Sequence, residues 1–240
     1  MAMSKGYETS FRTMLGAVGR GRRIRHPEID AFWPMKGHRY QGELLVLGRA
    51  VNGWDTTFCQ ADLARLSSRE RIVRRARDAS EANRADACPM LWVTSLRGQR
   101  GRYNTNTSAF WRVIRRVQAG LGVDPDCTDH WPSHMAWSNL YKLSRGGSGN
   151  PGAILCRAQM NNGLPGVIRR ELDELSPKRV LVLSGRDWFE PFASALNLKV
   201  RWRGGYVVGA ASEPGRRWVI AEHPQTRPED PFVQQVLNAF

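Results

Sequence analysis

RVLVLSGRDWF, residues 179–189, decides the fold. Val180, Leu181, Val182 and Leu183 form an apolar run that is too short for a helix and is rich in β-branched residues. Ser184 and Gly185 end it, and the residues from Trp188 to Leu196 continue with helical spacing. A continuous apolar strand running through glycine into a helix is the pattern of a parallel sheet covered on both faces.

Three other segments repeat that pattern on either side. Residues 43–48 (ELLVLG), 135–143 (MAWSNLYKL) and 217–221 (RWVIA) read as strands. Residues 61–80, a helix from the N-cap Ser108 through about Leu121, residues 153–175 with a break near 163–166, and 230–240 read as helices between them. Residues 90–96 read as a short strand or an extended loop, and 98–107 and 144–152 as loops. The expected fold class is α/β: a three-layer α/β/α domain spanning residues 41–240 around a central, mostly parallel four-stranded sheet. Residues 1–40 read as an irregular basic arm ahead of it. In such sheets the site lies beyond the carboxyl ends of the strands. That rule gathers residues 48–58, 139–152, 184–188 and 223–227 into one expected pocket.

The chain of 240 residues carries 36 Lys and Arg against 22 Asp and Glu, a formal charge of +14. Arginine supplies 31 of the cations and lysine 5. A GC-rich genome accounts for that ratio, but it leaves the net charge unexplained. The planar guanidinium forks suit phosphate and base edges, so a nucleic acid is the expected partner. Apolar residues make up 41% of the chain, which argues against a disordered tail. No run of 18 apolar residues occurs, so no membrane span is expected, and residues 1–13 lack the apolar core of a secretory signal. Cys59, Cys88, Cys127 and Cys156 form no CxxC or CxxH pair, so free thiols in a reducing, cytoplasmic setting are expected rather than a metal centre.

The order LLVLGRAVNGWDTTF (44–58), WSNLYKL (137–143), RVLVLSGRDWF (179–189) and VIAEHP (219–224) resembles the uracil-DNA glycosylase superfamily over roughly residues 43–235. The resemblance implies a Gly-led first motif, a base-reading asparagine on a middle strand and a late His-Pro motif. It makes the chain a divergent member. Ala50 stands where many members keep a water-activating side chain, and His223-Pro224 continues into Gln225, Thr226 and Arg227 rather than serine. No iron–sulfur cluster or other cofactor is implied.

Breaking an N-glycosidic bond creates a cationic sugar and an anionic base, so a site must stabilise that anion, hold a water and admit a flipped base. His223 could donate to the leaving base, or serve only as a structural loop histidine. Asn139 offers the donor and acceptor that a pyrimidine edge requires, or bonds local backbone. Phe58 could stack on the base or pack in the core. Asp55 could act as general base and Asn52 could orient water, while either could cap the following turn. Arg49 and Ala50 complete the expected base pocket. Ser184, Arg186, Gln225 and Arg227 are the expected DNA-binding rim, with surface solubility as the alternative for the arginines. The expected activity is monofunctional excision of a damaged base, uracil foremost, by a nucleoid-associated bacterial-type monomer. The alternatives are a non-catalytic nucleic-acid binder on the same fold, or an enzyme acting on another base or a free nucleoside. No P-loop, dinucleotide fingerprint or GxSxG elbow follows the strands.

Overall fold

The computed structural model describes residues 3–21, 24, 28–50, 56–81, 88–95, 104–123, 129–147 and 149–240. Its helices are α1 (Lys5–Arg20), α2 (Leu66–Glu81), α3 (Trp92–Ser95), α4 (Ala109–Gly120), α5 (Ala153–Asn161), α6 (Leu164–Leu175), α7 (Arg186–Ala195) and α8 (Glu229–Leu237). The strands are β1 (Glu28–Ala31), β2 (Met35–Lys36), β3 (Leu44–Gly48), β4 (Phe58–Cys59), β5 (Ala136–Asn139), β6 (Leu143–Arg145), β7 (Arg179–Leu183), β8 (Arg201–Trp202), β9 (Val207–Glu213) and β10 (Arg216–Ala221). The chain folds into two compact units, each assembled from three separate segments.

The second unit, residues 35–47, 83–137 and 176–240, holds the larger sheet. The four expected strands are all present as β3, β5, β7 and β10, but the expected four-stranded, mostly parallel sheet is corrected. The sheet has seven strands in the order β2-β5-β3-β7-β10-β9-β8 and is mixed. Its centre is parallel: β3 pairs with β7 and β7 with β10, and these are the continuous apolar runs. Beyond them β9 pairs antiparallel with β10, β8 antiparallel with β9, and β2 antiparallel with β5. The β9–β10 hairpin turns through Pro214 and Gly215, whose φ of 73° suits glycine. The expected strand or extended loop at 90–96 is also corrected, since residues 89–91 form a 3-10 turn leading into α3. There Trp92 meets Trp111 and Trp137 at 5.3 and 5.7 Å between ring centroids.

The first unit, residues 1–34, 48–82 and 138–175, is built on α1. Residues 5–20 are therefore helical, not irregular. Ser4 caps α1 by accepting from the Gly6 and Tyr7 amides, and Tyr7, Phe11, Met14, Leu15 and Val18 share its buried face. Tyr7 and Phe11 pack edge-on against Trp33, 4.8 and 5.6 Å away. A three-stranded antiparallel sheet, β4-β1-β6, sits beside them in sequence and pairs Ile29 with both Phe58 and Arg145. Gln159 of α5 completes the backbone of β6: its side-chain amide accepts from Leu143 N at 2.8 Å and donates to Leu143 O at 2.9 Å. Among the described residues no helix is long and apolar enough to cross a membrane, and Cys59, Cys88 and Cys156 are free thiols.

Burial sets an alkaline limit on the fold. Desolvation holds the Tyr7 phenol well above its ordinary pKa, with the Glu171 charge adding to the effect. Burial raises Tyr40 and Tyr141 as well, helped by Glu43 and Cys156 respectively. Above about pH 10 the unfolded chain ionises these phenols while the folded protein keeps them neutral, so stability falls as pH rises. Each contributes a slope of up to about 1.4 kcal/mol per pH unit. Lys142 has the opposite sign, because desolvation lowers its pKa more than Glu171 raises it, but its contribution ends near the ordinary lysine value of about 10.4. Urea midpoints measured from pH 8 to pH 11.5 are expected to decline steeply above about pH 10.4; a flat profile there contradicts the burial of these phenols.

Candidate functional site

In the second unit the ends of β7 and β10 are tied together. The Gly185 amide donates to Ala221 O at 2.9 Å. Gly185 has a φ of 82°, and a Cβ there would stand 3.2 Å from Glu222 Oε2, so glycine is required at this turn for two reasons. Ser184 is fully buried before it, its hydroxyl donating to Gly185 O at 3.2 Å. Arg186 opens α7. Its guanidinium lies 4.9 Å from the centroid of the Trp202 ring and pairs with Glu190 at 3.0 Å, so it presents a flat cation fixed on an aromatic face.

β10 leads directly into Glu222, His223 and Pro224. The His223 ring is half-buried and stacks on Phe110 of α4, with centroids 6.1 Å apart and planes at 20°. Its Nδ1 accepts from the Gln225 amide at 3.3 Å. That bond assigns the neutral ring its proton on Nε2, so Nε2 is a hydrogen-bond donor. The turn that follows is closed by Arg227 N donating to Pro224 O at 3.1 Å, with Thr226 at a φ of 64°. A β-branched residue in that left-handed region is strained backbone, a feature that recurs at functional loops. Gln225 and Arg227 are exposed on this turn, and Arg227 Nη2 is 4.0 Å from Glu222 Oε2.

In the first unit a second group of expected residues comes together. Leu140 N donates to Gly48 O and Tyr141 N to Arg49 O, both at 2.9 Å, so the residues after β3 run beside those after β5. Arg49 and Ala50 are half-buried there. Asn139, the last residue of β5, is 2% exposed, and its Nδ2 has no hydrogen-bond partner among the described residues. A buried amide donor left open costs about 1–3 kcal/mol, which an arriving acceptor recovers.

The segment that carries Asn139 is clamped on both sides. Lys142 Nζ donates to Ser138 Oγ and to Glu171 Oε2, each at 2.5 Å, and the Tyr7 hydroxyl donates to the same Glu171 oxygen at 3.1 Å. Lys142, Ser138 and Glu171 are all fully buried. The sequence reading missed this network, although a lysine inside the apolar run from Leu140 to Leu143 was its visible signal. It missed Phe110 as well, which reads as an ordinary core position of its helix.

Phe58 falls outside both groups. It is buried in β4 opposite Ile29, and no hydrogen bond or ring contact among the described residues links it to Asn139. Asn52 and Asp55 lie outside the described residues. No set of three or more His, Cys, Asp or Glu side chains suited to holding a metal ion occurs among the described residues. No protein-family model and no curated protein matches the chain.

Proposed function

We propose that the protein is a DNA glycosylase that removes a damaged base, uracil foremost, by hydrolysing its N-glycosidic bond. The observation that carries this reading is Asn139: a buried amide at a strand end with an open donor. The ring carbonyl that uracil shares with thymine accepts from such a donor. Cytosine places an amino group at that position and would leave the donor unpaired. Asn139 belongs to the first unit and His223 to the second; each role is assigned from the residue's own surroundings.

In the reaction the electron pair of the glycosidic bond leaves with the base. The Nε2 hydrogen of His223 stabilises the anion as it forms, a task suited to a neutral imidazole whose Nδ1 is already occupied. Water adds to the sugar carbon and gives up a proton that neutralises the base anion, which yields an abasic site and the free base. Asp55 or Asn52 holds that water. Arg186, Arg227 and Gln225 take the phosphate rim, from which burial withdraws Ser184, and Arg49 and Ala50 shape the base pocket, with Phe58 left to pack in β4 against β1. The same proposal makes the partner DNA, the protein a cofactor-free monomer of a bacterial-type nucleoid, and the fold a three-layer one.

Uracil-containing single- and double-stranded oligonucleotides, incubated with the protein and then with alkali, test the proposal. Strand cleavage at the uracil position is expected. DNA binding with no abasic product on either substrate overturns it in favour of a non-catalytic binder, while cleavage only at another modified base moves the specificity and keeps the chemistry.

A further inference from the structure

The loop that carries His223 is gripped at both ends by one helix, α4. At its start Phe110 meets the His223 ring, with centroids 6.1 Å apart and planes at 20°. Past the turn, at the first residues of α8, Arg112 donates from Nε and Nη2 to Glu229 Oε1 at 2.8 and 2.5 Å. Its Nη1 donates to Asn106 O at 2.7 Å, so every nitrogen of this guanidinium is engaged. Fixed in that way, the contact differs from an ordinary surface ion pair. Arg116, one turn further along α4, reaches Asp230 at 2.5 Å.

α4 is itself anchored where Phe110 leaves it. Trp111 is buried, with its ring centroid 5.3 Å from that of Trp92 and 5.2 Å from that of Trp137. It meets the Phe110 ring edge-on at 5.0 Å. In the turn ahead of the helix Thr105 is buried, and its hydroxyl donates to Val93 O at 2.6 Å. At the far end a Cβ on Gly120 would stand 2.5 Å from Leu237 Cδ1 of α8, so the two helices are in close contact there as well. A helix packed along its length in this way resists small shifts.

The imidazole needs such a support. The Gln225 amide reaches His223 Nδ1 at 3.3 Å, which is long for a hydrogen bond, and rotation of the half-buried ring would break it. A flat neighbour on the ring face restricts that rotation. We propose that Phe110 is the positioning residue for His223: its ring, fixed by the grip of α4 on both ends of the loop, keeps Nδ1 on the Gln225 amide and the proton on Nε2. The use of that proton on a leaving base rests on the glycosylase reading, whereas the hold on the ring rests on the geometry alone.

The test compares Phe110→Leu, which removes the flat face, with Phe110→Tyr, which restores it, both in the full-length protein. The first readout is the nitrogen NMR spectrum of labelled histidine at a pH where the ring is neutral, with the His223 signals assigned by their loss in His223→Asn. The parent should show the well-separated Nδ1 and Nε2 shifts of one tautomer. In Phe110→Leu the two shifts should draw together as the tautomers exchange, and in Phe110→Tyr they should return to the parent values. The second readout is uracil excision: kcat should fall by up to about 10²-fold in Phe110→Leu with KM little changed, and recover in Phe110→Tyr. Parent-like nitrogen shifts in Phe110→Leu overturn the proposal. So does a rise in KM at constant kcat, the mark of a ring that touches the base itself. An equal loss in both variants with lowered urea midpoints overturns it too, as the sign of a merely structural role. If Phe110→Leu does not fold, Arg112→Gln decides: it loosens the grip at an exposed position, and parent-like shifts there overturn the proposal. Absence of excision by the parent removes the glycosylase reading, and the nitrogen shifts then decide this proposal by themselves; excision with unchanged shifts removes this proposal alone.

Discussion

Lys142→Ala is expected to lower the unfolding free energy by about 3–5 kcal/mol, the cost of stranding one member of a buried ion pair. The effect falls at the high end of ordinary substitutions because of what is left behind. Among the described residues Glu171 would keep its charge with only the Tyr7 hydroxyl on Oε2, and its Oε1 already has no partner there. Ser138 would lose its contact with the ammonium at the same time. Lys142→Met/Glu171→Leu removes both charges and keeps most of the volume, so it should recover a large part of the loss. Urea unfolding of Lys142→Met, Glu171→Leu and the double, read as a double-mutant cycle, with Lys142→Ala beside them, is the measurement. A cost below about 1 kcal/mol for Lys142→Ala, within the range of exposed ion pairs, would show that the pair is hydrated in solution.

His223→Ala is expected to lower the single-turnover excision rate by about 10²–10³, the usual cost of removing one donor aimed at developing negative charge. Stability should change little, because the half-buried ring is held by Phe110 on one side and the Gln225 amide on the other. Asn139→Ala should act differently. The donor it removes meets the base before and during bond cleavage alike, so KM should rise more than kcat falls. Rates unchanged in both variants would sink this assignment of roles even with excision intact.

The parallel centre of the large sheet was legible because β3, β7 and β10 are buried on both faces and read as continuous apolar runs. Their antiparallel flanks were not. β2 and β8 are two residues long, and β9 runs through Gly209, Ala210, Ala211 and Ser212, residues with little strand preference. Only the Pro214-Gly215 turn marked the hairpin. The small sheet escaped for a related reason, since strands of two to four residues are defined by pairing across the chain. Helix α1 was within reach: Ser4, Glu8 and apolar positions 7, 11, 14, 15 and 18 are a helical signature, masked by the arginine cluster that follows. At the site the strand ends could be placed from sequence, and so could Asn139 and His223. The surroundings could not: Phe110, which stacks on His223, and Glu171, which holds Lys142 three residues after Asn139, lie far away along the chain.

Each of the two units is interleaved with the other along the chain, which changes units after residues 34, 47, 82, 137 and 175. During synthesis the first unit therefore stays incomplete until α6 has emerged, and the second waits for α8. The nascent chain must hold β3 unpaired until β5 at residues 136–139 has been made, exposing an apolar strand that aggregates readily. No single cut yields either unit whole, so the two halves of the proposed chemistry are inherited, expressed and lost together.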